Sequence, residues 1–144
     1  MTTASTPTTV AIVDASIWVS RLVSIDAHHS FGLTWLQNFV ISGGPCVAPV
    51  LLLAEVAGAI SLQTGQAPLG QAALKLLLCM PALRIVSADR RLGPSAAQLA
   101  ADLGQRGADA VYIALAQQLK VPLITGDQGQ IDRTDSVITV QQPK

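Results

Sequence analysis

At 144 residues and 15.0 kDa the chain has the common size of one domain, long enough to bury its own core and too short for a second substrate domain. Half of the residues are apolar, 12% are charged and mean hydropathy is +0.46, which excludes an intrinsically disordered chain and a highly charged surface. Nine basic residues balance nine acidic ones, so no overall positive field gathers nucleic acid and any such contact must use local Arg or Lys.

Residues 1–9 are rich in Thr and Ser and carry no Lys or Arg ahead of the apolar stretch that follows, so they read as a loose leader rather than a secretory signal. Val10 to Val13 is a short β-branched run that stops at Asp14, the pattern of a strand buried on both faces. A helix is predicted from Ala15 to about Ser24 on the stripe Ile17, Trp18, Leu22 and Ile25. A second is predicted over Phe31 to Ile41, capped by Ser30 and stopped by Gly43, Gly44 and Pro45. Pro49 suits the first turn of a long apolar helix reaching about Ser61, with Glu55 in its middle. The apolar run 47–60 around it is shorter than the ~20 residues of a membrane span, so the chain is expected to be soluble and cytoplasmic.

A further helix spans Leu69 to Cys79, Pro81 ends it, and Leu83 to Val86 reads as a strand. Gly93 and Pro94 start a helix to Leu103, and Asp109 opens another over Ala110 to Leu119. Pro122 to Thr125 is a strand, Gln128 to Ser136 a polar loop, and Val137 to Val140 a last strand. Strands alternating with amphipathic helices predict an α/β fold: a three-layer sandwich with a mostly parallel central sheet flanked by helices, in one domain over 1–144. Cys46 and Cys79 lie in apolar surroundings without a zinc or disulfide pattern and read as buried thiols.

In such a sheet function gathers at the carboxyl ends of the strands. Asp14 and Asp127 each follow a strand there, and Asp109 starts the helix that returns to the strand delivering Asp127. Glu55, the chain's one glutamate, has no Lys or Arg at helical spacing to neutralise it, so it needs a partner elsewhere. Carboxylates without competing His or Cys suit a hard cation, Mg2+ or alternatively Mn2+, and phosphodiester hydrolysis is the reaction such a centre serves most naturally. Singly, each acid also has a plain structural role: Asp14 and Asp127 as caps, Asp109 as a first-turn acid, Glu55 as the partner of a distant arginine such as Arg106. Their shared edge favours a site.

These residues resemble the PIN-domain ribonucleases, and within them the VapC-type toxins of toxin–antitoxin pairs, from Val10 to Asp127. The resemblance lies in Ile12-Val13-Asp14-Ala15-Ser16, in Glu55 on the helix after Pro49, in Asp109-Ala110 opening an alanine-rich helix, and in Leu123-Ile124-Thr125-Gly126-Asp127. It implies a Mg2+-dependent endoribonuclease with Asp14, Glu55, Asp109 and Asp127 around the metal, and with Ser16 and Thr125 orienting ligands or waters. Ser16 as a helix cap and Thr125 as a plain strand residue are equally simple readings. It also implies an RNA substrate, a homodimer and a cognate VapB-type antitoxin. The alternative is a non-catalytic PIN-like module that binds RNA or protein, against which stands the presence of all four acids.

Gly58 departs from the family, many members of which carry Asn there. Asp102 lacks the sequence context of Asp109, and Asp132 and Asp135 read as solvated loop acids. His28 and His29 read as surface residues; Trp18, Trp35 and Phe39 as packing residues. Arg21, Arg90, Arg91, Arg106 and Lys120 are the candidate contacts to an RNA backbone. An aspartyl-phosphate phosphatase needs a second Asp where Ser16 stands, a receiver domain needs a lysine after a late strand, and no phosphate-binding GxxxxGK[ST] loop is present.

Overall fold

The computed structural model describes residues 10–23, 34, 37, 38, 45–135 and 137–142. In chain order they form β1 (Ala11–Val13), α1 (Ala15–Leu22), β2 (Cys46–Pro49), α2 (Leu51–Thr64), α3 (Ala67–Leu78), β3 (Leu83–Val86), α4 (Leu92–Leu103), α5 (Gly107–Leu119), β4 (Leu123–Ile124), α6 (Gln128–Thr134) and β5 (Val140–Gln141). The strands build one parallel sheet in the order β3-β2-β1-β4-β5. The steps from β1 to β2 and from β2 to β3 move one way along the sheet, and the step from β3 to β4 moves back. Right-handed crossovers therefore put α1, α2 and α3 on one face and α4 and α5 on the other, which gives the three layers. Packing agrees: α2 lies against α1 and α3, while α5 lies against α4 and across β1, β2 and β4. The direction of travel reverses between β1 and β4, so the crevice at their carboxyl ends is the switch point where such sheets hold ligands.

The sheet centre is apolar on both sides. Ile12, Val13, Leu123 and Ile124 are buried, and Trp18 and Ile113 close over the two faces. Trp18 satisfies its indole by donating Nε1–H to Val13 O at 3.2 Å. Gly70 lets α3 approach α2 closely: a Cβ there would stand 2.6 Å from Ala57 O. A cleft of about 370 Å3 between α1, α2 and α3 is lined by Leu22, Val23, Ile60 and Leu76 among others, and holds none of the acids.

Four local expectations need correction. Residues 46–49 form β2 rather than leading into a helix, and Pro49, which has no N–H to donate, ends the strand while the next amide, Val50 N, donates to Val86 O at 2.8 Å. An unbroken apolar run carries no period by which to separate strand from helix. Residues 128–134 form α6, not a loop, because the buried stripe is made of Gln130 and Thr134 and so escapes an apolar pattern. The last strand is Val140–Gln141 rather than 137–140, since pairing to β4 starts only where Leu123 N reaches Thr139 O. Cys46 is buried, which pushes its thiol up to about 12, but Cys79 is exposed just past α3. Of the helix predicted over 31–41, Thr34, Gln37 and Asn38 are helical; Trp35, Phe39, His28 and His29 and residues 1–9 lie outside the described residues.

Candidate functional site

The register of β1 and β4 sets Ile12 beside Leu123 and Val13 beside Ile124, so the next residues out, Asp14 and Thr125, are neighbours at the sheet's carboxyl edge. Asp14 N donates to Ile124 O at 2.9 Å, which fixes the turn between strand and helix. The Asp14 carboxylate is buried, and its Oδ2 accepts from Thr125 Oγ1 at 2.6 Å and from Ser16 Oγ at 3.0 Å. Ser16 Oγ in turn accepts Gly126 N at 3.1 Å, and Thr125 Oγ1 accepts Asp127 N at 3.1 Å. Both hydroxyls thus tie Asp14 to the strand-to-helix turn after β4. Gln130 Oε1 lies 3.0 Å from Thr125 Oγ1. The hydroxyl has one proton, and the shorter contact assigns it to Asp14. Turning the Gln130 amide over would let its buried Nε2, which has no partner as placed, donate to Thr125 in place of the Oε1 contact.

α2 starts directly after β2 and carries Glu55 about one helical turn, roughly 6 Å, above the sheet edge. Glu55 borders the buried stripe Leu52, Val56 and Ile60. Its Oε1 is buried without a hydrogen-bond partner, and the same holds for the hydroxyl of the fully buried Tyr112 on α5. Burial pushes Glu55 above the usual carboxylate range; the nearby Tyr112 hydroxyl offsets part of this, Asp14 and Asp109 raise it further, and Arg106 opposes them. Asp14 is likewise raised, first by burial, with Thr125 and Ser16 opposing and Asp109 adding repulsion. Tyr112 is pushed far up by burial and by Glu55. These three acids therefore share one field.

Because α5 runs back to β4, its N-terminus lies at the same edge, and Asp109 in its first turn is buried there. Arg106 Nε donates to Asp109 Oδ2 at 3.0 Å. That bond holds Arg106 protonated, and Asp127 and Asp14 add attraction. Asp127 is exposed and caps α6, its Oδ1 accepting Gln130 N at 3.3 Å. Arg106 thus pairs with Asp109, three residues on, rather than with Glu55. Tyr112 and Gln130 are the two side chains at the site that the sequence reading did not single out. Their spacing, three residues after Asp109 and three after Asp127, is the signal that could have marked them.

Three further acids among the described residues are engaged away from the cluster. Asp102 accepts Gln98 Nε2 at 3.0 Å on the exposed face of α4, and Asp132 accepts Gln128 Nε2 at 2.8 Å on α6. Asp89 accepts Arg91 N and Leu92 N at the start of α4, and the Leu92 amide first, then that of Arg91, hold its carboxyl below the usual range. Gly58 is exposed, and a Cβ there would meet nothing within 4 Å.

Carboxylate and hydroxyl oxygens alone make a hard donor set, and a divalent cation would relieve both the like-charge pressure and the orphaned Glu55 Oε1. The residues fit such an ion in kind. As they stand, no three acidic, His or Cys side chains among the described residues are grouped closely enough to hold one. Arg106 occupies Asp109, and Asp127 is turned to its own helix.

The PIN domain profile matches residues 11–136 of the chain. No curated protein matches the sequence. Among solved structures, a Mycobacterium tuberculosis VapC toxin described as cleaving the sarcin–ricin loop superposes with a TM-score of 0.71 at 17% identity, over 85% of this chain and 93% of that one. VapBC2 of Rickettsia felis, bound to a DNA fragment from its promoter, gives 0.70 at 16% identity over 94% and 99%. FitAcB of Neisseria gonorrhoeae gives 0.68 at 19% over 92% and 97%. At these identities the likeness is one of fold, whereas the family profile spans most of the chain: it belongs to the PIN domain family.

Proposed function

We propose that the protein is a VapC-type endoribonuclease that hydrolyses RNA phosphodiester bonds with Mg2+, or Mn2+, and acts as the toxin of a type II toxin–antitoxin pair. The observation that carries this reading is the convergence of Asp14, Glu55 and Asp109 on one field at the switch point of the sheet, with a buried glutamate oxygen left unsatisfied. Asp14, Glu55, Asp109 and Asp127 would hold the cation. The chemistry such an ion would supply there is a lowered pKa for a bound water and neutralisation of charge on a phosphoryl oxygen. Ser16 and Thr125 oppose the effect of burial on the Asp14 carboxyl and fix its plane by donating to Oδ2. Gln130 holds the Thr125 hydroxyl in turn. Tyr112, fully buried on α5, comes close to Glu55 and opposes the effect of burial on its carboxyl.

A cognate antitoxin and a homodimer belong to the same reading: the toxin–antitoxin complexes among the structural relatives support the first, and Leu62, Leu76 and Leu78, all largely exposed on the α2–α3 pair, offer a surface for association. The test is cleavage of a panel of structured RNAs with Mg2+, with EDTA and by Asp14→Asn, with folding checked by circular dichroism. Cleavage that requires metal and falls about 100-fold or more in Asp14→Asn is the expected result. Cleavage that survives both defeats the proposal, and no cleavage of any RNA, with metal binding absent, favours the non-catalytic binding module.

A further inference from the structure

We propose that Arg106 is the resident counter-ion of the acid cluster, displaced from Asp109 when a divalent cation binds and thereby freed to hold an RNA phosphate; this rests on the metal-nuclease reading above. Arg106 precedes α5 with an extended backbone, φ −64° and ψ 150°, so its side chain folds back over the first turn to reach Asp109. The two ends of the pair differ sharply in exposure, 81% for the Arg106 side chain against 12% for Asp109. Its one hydrogen bond is made by Nε, and the terminal guanidinium nitrogens have no partner among the described residues. A planar fork held by a single bond and otherwise in water is a weak anchor, because solvent screens the attraction.

The position of Arg106 makes it a stand-in for the missing positive charge. Asp109, Asp127, Asp14 and Glu55 all act on or feel its charge. A cation that takes an Asp109 oxygen would sit against the guanidinium, and two positive charges cannot share that oxygen at close range without strong repulsion. The compact divalent ion, drawn by several carboxylates, displaces the exposed arginine. Arg106 then remains at the rim of the crevice with Nε released as well, so that its whole fork, and not the terminal nitrogens alone, faces phosphate oxygens. Metal loading and grip on the RNA backbone are thereby coupled through one side chain.

The test compares wild type with Arg106→Gln in two measurements. Calorimetric titration with Mn2+ is expected to show about fivefold tighter binding by the variant, since the competing counter-ion is gone. Fluorescence anisotropy of a short single-stranded RNA, with Ca2+ as the divalent ion and the RNA verified intact afterwards, reads the second half. The variant should bind RNA several-fold more weakly than wild type with Ca2+, and nearly equally without a divalent ion, where Asp109 occupies Arg106. Wild type that binds Mn2+ and a variant that binds it no more tightly overturn this proposal and leave the metal-nuclease reading standing. An equal loss of RNA affinity with and without Ca2+ also overturns it. If neither protein binds Mn2+, the metal reading falls and this inference with it.

Discussion

Glu55 is the residue on which the chemistry of the site is most exposed to test. Its carboxyl is raised mainly by burial, so the folded state binds its proton more tightly than the unfolded chain does. Stability contributed by that proton is present below the ordinary carboxylate value and is lost as pH rises from there through the raised folded value. Without a divalent ion, Glu55→Gln is therefore expected to melt at the same temperature as wild type under acid conditions and above it at neutral pH, the gap widening with pH. Saturating Mg2+ or Mn2+ should shrink the gap, because the cation neutralises the wild-type glutamate and has less to gain in the variant. Differential scanning fluorimetry across pH, with and without metal, measures both, and a constant gap across pH would deny that Glu55 is a strained acid. Asp14 differs from Glu55 in that Ser16 and Thr125 already oppose its burial. Its importance was legible from its place after a β-branched run, while its two hydroxyl partners become neighbours only through the pairing of β1 with β4.

At the scale of elements, the packing of α2 on α3 turns on Gly70, where backbone rather than a movable side chain stands 2.6 Å from a would-be Cβ. Gly70→Ala would gain helix propensity but must push the helices apart, and a loss of about 1–3 kcal/mol is expected in urea unfolding. No loss would mean that α2 and α3 can slide without cost. Since α2 carries Glu55, the same substitution should also weaken metal binding. Elements with an apolar stripe, such as α4, were placed within a residue or two from sequence. Two of the corrected segments differ from expectation for opposite reasons: 46–49 opens an apolar run in which strand and helix share one pattern, and 128–134 is so polar that its buried face, Gln130 and Thr134, carries no hydrophobic signal.

For the whole molecule, the crossovers place α1 to α3 and α4 to α5 on opposite faces, and the acids after β1, on α2 and α5 and in the turn after β4 stand at one edge of the sheet. The parallel direction of every strand is what brings them to one edge. Among the described residues no helix is long and apolar enough to cross a membrane. The exposed Leu62, Leu76 and Leu78 predict association: light scattering after size exclusion should give about twice the 15.0 kDa of one chain. A monomer at micromolar concentration would count against the homodimer and leave those leucines to another partner.

The α/β class, the parallel sheet and the acids at its carboxyl edge are legible in the sequence alone, because short apolar runs followed at once by carboxylates are local patterns that burial makes costly to place anywhere else. How the buried acids are balanced emerges from the folded arrangement. That Thr125 rather than a helix amide satisfies Asp14, and that Tyr112 comes close to Glu55, depend on register and on helix docking across the sheet. Such contacts join residues distant in sequence, and no local pattern encodes them.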